Sequence, residues 1–150
     1  VALQGRPVEE VVCWDSGGAS FQITSQGADS TSIRSYVGSQ GTGTVLATLV
    51  EVVQGRCLAT CQTPNPVTAE EVAKLVKQLR DSLAESPTWL QGSNVTAIGG
   101  QNSMFCIASE ALGLTTYSEE DVRRALDEVV GLTDDDLSTR PYCQGTFREP

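Results

Sequence analysis

The side chains best placed to do chemistry stand close together in the chain: Asp15, Ser20 and Gln22, set around the small-residue turn Gly17-Gly18-Ala19. Glycines let consecutive backbone N–H groups face one anion without obstruction by a Cβ. Ser20 adds a hydroxyl donor, and Asp15, at the mouth of the turn, is placed to hold a hydrated divalent cation against the same anion. The chemistry this suggests is phosphate binding. An ordinary tight hairpin is the competing interpretation, which a Gly-Gly pair alone would favour; the flanking Asp and Ser argue for phosphate.

The elements around the turn must then present it. Val8 to Trp14 has the β-branched content of a buried strand and Ser20 to Thr24 resumes an extended pattern, so Gly17-Gly18-Ala19 becomes a hairpin tip. A second segment has a related layout. Asn94-Val95-Thr96-Ala97-Ile98 is a short β run that ends in Gly99-Gly100 and opens a helix at Gln101, so backbone N–H groups of Gly99, Gly100 and Gln101 form a second anion or nucleotide loop. Gly38-Ser39-Gln40-Gly41-Thr42-Gly43 is a third glycine-rich loop, and a flexible connection is expected there rather than a cradle.

Asp15-Ser16-Gly17-Gly18-Ala19-Ser20-Phe21-Gln22 resembles the second phosphate-binding motif of the exopolyphosphatase and guanosine pentaphosphate phosphohydrolase family, which reads Asp, an apolar residue, three glycines, Ser, Thr, Glu. It departs from that motif at Ser16, Ala19 and Gln22. The Ala and the Gln are similar instead to the apyrase motif Gly-Gly-Ala-Ser-Thr-Gln. Both families belong to the actin-like two-domain superfamily. The spacing of about 80 residues between Gly17-Gly18 and Gly99-Gly100 resembles the exopolyphosphatase branch, as does the stretch of short acid-capped helices from Tyr117 to Asp136.

The resemblance implies an α/β, ribonuclease H-like domain that forms the second half of a two-domain phosphatase. It implies hydrolysis of a phosphoanhydride in polyphosphate or in guanosine penta- or tetraphosphate, with Mg2+ held through water by Asp15. Gly17, Gly18, Ala19 and Ser20 would bind phosphate, while Ser20 with Gln22 would orient the attacking water. In that family the general base is a Glu of the first domain, which would be a partner supplied by the N-terminal part of the same protein; homodimerisation is a further expected association.

Composition excludes several other classes. With 150 residues and 39% hydrophobic content, the chain has the material for one domain with a real core. The net charge of −9 argues against nucleic acid or an anionic membrane surface, and no apolar run approaches a membrane span. The chain starts at Val1 with no start Met, signal peptide or basic leader and enters a strand by Val8, which points to a piece of a longer, cytoplasmic protein. Histidine is absent, so no Ser-His-Asp, Cys-His or His-ligated metal chemistry arises within the chain. The five cysteines contain no C-x-x-C pair, and Cys57-x3-Cys61 with Cys106 and Cys143 fits no common zinc site. Buried thiols are expected at Cys13 and Cys106.

Further along, Ser32 to Val37 reads as a third strand and Thr44 to Val53 as a helix with Val45, Leu46, Leu49 and Val53 inward. Thr68-Ala69-Glu70-Glu71 is a capping box for a helix to about Ala84, with a stripe of Val72, Leu75, Val76, Leu79 and Leu83. Core helices follow over 101–112, carrying Met104, Phe105, Ala108, Ala111 and Leu112 inward, and from Ser118 to Val130, with Val122, Leu126 and Val129 buried. A last helix starts at the acidic turn Thr133-Asp134-Asp135-Asp136, whose aspartates match the helix dipole rather than bind a ligand.

Overall fold

Alternating β-branched and polar residues build β1 (Val11–Ser16), β2 (Phe21–Gln26), β3 (Ile33–Gly38) and β4 (Asn94–Ile98), which form one mixed sheet in the order β3-β2-β1-β4. The computed structural model describes residues 7, 10–27, 29, 31–91, 94–98 and 104–143. β1 pairs antiparallel with β2, β2 pairs antiparallel with β3, and β4 returns parallel to β1. The chain is thus α/β, and it divides into two units, Val1–Val45 with Leu79–Ile98 and Leu46–Gln78 with Gly99–Pro150.

The first unit contains the sheet. Because strand side chains alternate between faces, Val12, Phe21 and Ile23 share one face, where they are buried against Trp14, Tyr36, Trp89 and Leu90. Phe21 packs edge-on to Trp14 at 6.3 Å and against Tyr36 at 5.6 Å between ring centroids. Tyr36 donates its hydroxyl to the Ala84 carbonyl at 2.7 Å, and the Arg34 guanidinium stacks over Trp89 at 5.2 Å while donating to the Gln26 carbonyl at 2.8 Å. These contacts cover that face with the segment 84–90. On the opposite face Val11 is buried, but register places Val37, Gln22, Asp15 and Ile98 side by side across all four strands at the end nearest the turn, and all four are exposed.

After β3, the expected helix from Thr44 begins earlier and changes type. It runs as α1 (Thr42–Ala47) and continues as a π-helical segment, Thr48–Val53. The wider turn rotates the later residues, so Leu49 and Val50 are buried while Leu46, expected inward, is 40% exposed. The helix α2 (Ala69–Ser82) has the expected box, with Glu71 N–H donating to Thr68 Oγ1 and Thr68 N–H to Glu71 Oε2.

α3 (Met104–Leu112) ends in Gly113 at φ +65°, where Gly113 N–H donates to the Glu110 carbonyl and Leu114 N–H to the Ser109 carbonyl, a left-handed stop that glycine adopts without strain. α4 (Glu119–Asp127) and α5 (Asp134–Ser138) each carry a complete capping box, from Ser118 with Asp121 and Thr133 with Asp136. α4 stops before Val130, and its Val122 and Leu126, expected in the core, are 38% and 42% exposed. Asp134 accepts from Thr63 Oγ1 at 2.9 Å and Asn65 Nδ2 at 2.7 Å, which ties the segment before α2 to the start of α5. No helix among the described residues is long and apolar enough to cross a membrane.

Candidate functional site

The turn between β1 and β2 is closed by Gly17 N–H donating to the Ser20 carbonyl at 2.9 Å, and Gly17, Gly18, Ala19 and Ser20 are all exposed. The expected hairpin tip is therefore formed. Asp15 lies on β1 two residues before the turn and sits opposite Gln22 on β2, and both are exposed on the face opposite Phe21 and Ile23. Asp15 is the single carboxylate of the four strands. Neither Asp15 nor the Ser20 hydroxyl has a hydrogen-bond or ionic partner among the described residues. Gln22 Nε2 donates to Ser35 Oγ at 3.2 Å, leaving its Oε1 as a free acceptor among these residues.

The loop Gly38–Gly43, expected to be a flexible connection, is instead bonded to the back of this turn. Thr42 N–H donates to the Gly17 carbonyl at 2.9 Å and Gly43 N–H to the Gly18 carbonyl at 2.7 Å. Thr44 Oγ1 closes the loop on itself by donating to the carbonyls of Ser39 and Gly41. These contacts were not legible beforehand, though three glycines within six residues were a signal of close approach. A Cβ at Gly41 would lie 2.4 Å from Ser20 N and 2.5 Å from Ala19 N, and one at Gly38 would lie 2.3 Å from the Phe21 ring.

The direction of the turn's donors follows. Both peptide bonds, 17–18 and 18–19, are trans, and in a planar trans peptide the N–H points opposite to the C=O. Since both carbonyls aim at the start of α1, the N–H groups of Gly18 and Ala19 aim away from it, and neither has an acceptor among the described residues. Glycine is not required there by the fold. Neither Gly17 nor Gly18 has a left-handed φ, and a Cβ at Gly18 would meet nothing within 4 Å. What its absence leaves open is the approach to two successive exposed amides.

Positive charge is scarce around this site. The strands carry one cation, Arg34, and it is engaged on the core face with Trp89, Ser25 and Gln26. An anion at the turn would be met by amides, the Ser20 hydroxyl and whatever cation Asp15 holds. One exposed carboxylate suits Mg2+, which keeps several waters and shares its remaining positions with substrate phosphates. It does not make a protein cage, and no cluster of three His, Cys, Asp or Glu residues occurs among the described residues. No disulfide joins the five cysteines; Cys143 is buried, whereas Cys13 and Cys106, expected to be buried, are only partly so. The second loop, Gly99, Gly100 and Gln101, lies outside the described residues, immediately beyond the end of β4. No family model, no curated protein and no solved structure matches this chain.

Proposed function

We propose that this chain is a phosphate-binding half of a phosphoanhydride hydrolase acting on polyphosphate or a guanosine polyphosphate, with Mg2+ at Asp15. The observation that carries this reading is the outward aim of the Gly18 and Ala19 amides at the tip of a hairpin whose strands pair Asp15 with Gln22. Two adjacent N–H groups with a hydroxyl suit the nonbridging oxygens of a terminal phosphate. The order of elements, with three strands, helices and then a fourth strand parallel to the first, supports a ribonuclease H-like domain.

In this reading the Gly18 and Ala19 amides and the Ser20 hydroxyl hold the terminal phosphate, fixing its orientation. The Gln22 amide, tethered through Nε2 to Ser35, accepts a hydrogen bond at Oε1 from the attacking water and aims it at phosphorus. Water adds to the terminal phosphorus as the anhydride P–O bond breaks, releasing orthophosphate and the shortened chain. Mg2+, when bound, supplies neutralisation of the charge on the transferred phosphoryl group. The water's proton goes to a general base that the resemblance assigns to the first domain, in keeping with Asp15 being the single acid of the strands.

The test is a calorimetric and thermal-stability titration of the chelator-treated chain with tripolyphosphate, with and without Mg2+. A ligand at about 100 times its Kd stabilises the folded state by about 2.7 kcal/mol. Mg2+-dependent binding and a raised Tm are expected. No response to either addition would overturn the phosphate reading and leave a structural hairpin.

A further inference from the structure

We infer that Gly41, Thr42 and Gly43 are positioning residues for the phosphate-binding turn, setting the direction of its amides from behind without touching the ligand. This rests on reading the turn as a phosphate site, and its physical basis is separate from that reading.

A free turn of small residues samples many peptide orientations, and the backbone freedom of glycine makes the sampling wide. Here two successive peptide planes are pinned from one side. The bond from Thr42 N–H to the Gly17 carbonyl fixes the plane that contains the Gly18 N–H, and the bond from Gly43 N–H to the Gly18 carbonyl fixes the plane that contains the Ala19 N–H. Thr42 Oγ1 adds a longer contact of 3.4 Å to the same Gly17 carbonyl.

Each pinned carbonyl also polarises its own peptide, which strengthens the N–H on the far side as a donor. The arrangement requires the two backbones to meet closely. Gly41 is buried, with no room for a Cβ against Ala19 and Ser20, and a Cβ on Gly43 would lie 3.0 Å from the Gly18 oxygen. Glycine at 41 is thus demanded by contact with the turn and a side chain at 43 would crowd it, whereas glycine at 18 is not demanded by any contact among the described residues. The three positions divide the work: Gly18 leaves the front of the turn open, and Gly41 and Gly43 let the back be gripped.

The test uses the whole chain and two substitutions. Thr42→Pro deletes the donor to Gly17 at the first position of a helix, where proline fits the helical φ and the missing N–H breaks no intrahelical bond. Gly43→Ala instead crowds the Gly18 oxygen. Each is followed in two ways: by the amide proton shifts and solvent exchange of Gly18 and Ala19 without ligand, and by calorimetric titration with Mg2+ and tripolyphosphate. The expected result is a displaced Gly18 amide proton resonance in Thr42→Pro, an equivalent displacement at Ala19 in Gly43→Ala, solvent exchange of both amides as fast as in the native chain, and binding weakened about tenfold in both, the loss of one charge-assisted contact, with the circular dichroism of the sheet retained.

Unchanged Gly18 and Ala19 amides in a folded Thr42→Pro chain would overturn the positioning role even if the native chain binds tripolyphosphate. Native binding that survives both substitutions would do the same. If the native chain binds nothing, the phosphate reading falls, and the positioning role falls with it whatever the amides show.

Discussion

Gly18 separates a ligand role from a packing role more cleanly than any other residue of the turn. Its φ is not left-handed and a Cβ there meets no neighbour, so Gly18→Ala leaves the fold in place and removes some freedom from the unfolded chain, which is worth about 0.4–1 kcal/mol of stability at compatible sites. The expected outcome is an unchanged or slightly raised Tm together with weaker tripolyphosphate binding, because the methyl group stands over the approach to the amides. Asp15 is a comparable case. Exposed and without a partner among the described residues, it contributes charge rather than packing, so Asp15→Ala should abolish the Mg2+-dependent part of phosphate binding while stability stays within about 0.5 kcal/mol of the native chain. Calorimetry of both variants beside their melting curves checks the pair, and retained Mg2+-dependent affinity in folded Asp15→Ala removes that residue from the site. Gln22→Glu exchanges the tethered amide for the acid usual in the resembling family. It should alter metal dependence or hydrolysis more than Tm, since Gln22 is exposed; a large fall in Tm would show that its bond to Ser35 is structural instead.

Among the elements, local signals and long-range contacts differ in how well the sequence disclosed them. The hairpin tip, the capping box at Thr68 and the cap at Ser118 were legible because each is decided within four or five residues of chain, while the full boxes at Ser118 and Thr133 add an Asp side chain that reaches back to the cap. The π-helical segment was not, since an apolar run of Val and Leu fits a helix of either pitch, and the choice of Val50 over Leu46 as the inward residue depends on what packs against it. The grip of Gly41 and Gly43 on the turn was hidden for the same reason: it joins residues more than twenty positions apart, and glycine in a loop signals freedom and close approach equally well. The caps carry a pH dependence with a definite sign. Asp29 is held at a pKa of about 2 rather than 3.8 by the Ser32 hydroxyl, then by the N–H groups of Ser32 and Thr31, while Asp121 and Asp136 are lowered by N–H and hydroxyl donors of Ser118 and Thr133. A carboxyl whose pKa is lower in the folded state adds stability above its unfolded value and loses it as pH falls through the folded one. For Asp29 that window runs from 3.8 down to about 2. Helical circular dichroism should therefore fall with acid in the native chain, and Asp121→Asn with Asp136→Asn should flatten that fall. Ser118→Ala should cost about 1 kcal/mol at neutral pH, the usual loss of a helix cap.

At the scale of the whole chain, the decisive quantity is the rate at which it hydrolyses a phosphoanhydride by itself. The turn offers oriented amides, a hydroxyl, a tethered Gln and one carboxylate, and that carboxylate is assigned to the metal. With a net charge of −9 the chain also repels a polyanion unless cations accompany it, so binding should strengthen far more with Mg2+ than with monovalent salt of the same ionic strength, which only screens the repulsion. What the strands lack is a second acid to take the water's proton. A general base is typically worth about 10² to 10⁴ in rate, and a facing domain would further exclude water and fix the substrate. Phosphate release from tripolyphosphate by the purified chain should consequently be very slow, and it should rise when a domain carrying a suitably placed Glu is supplied on the same chain or in trans. Robust Mg2+-dependent turnover by the chain alone, abolished by Asp15→Ala, would show that the base lies within these 150 residues and that the active site is complete without a second domain.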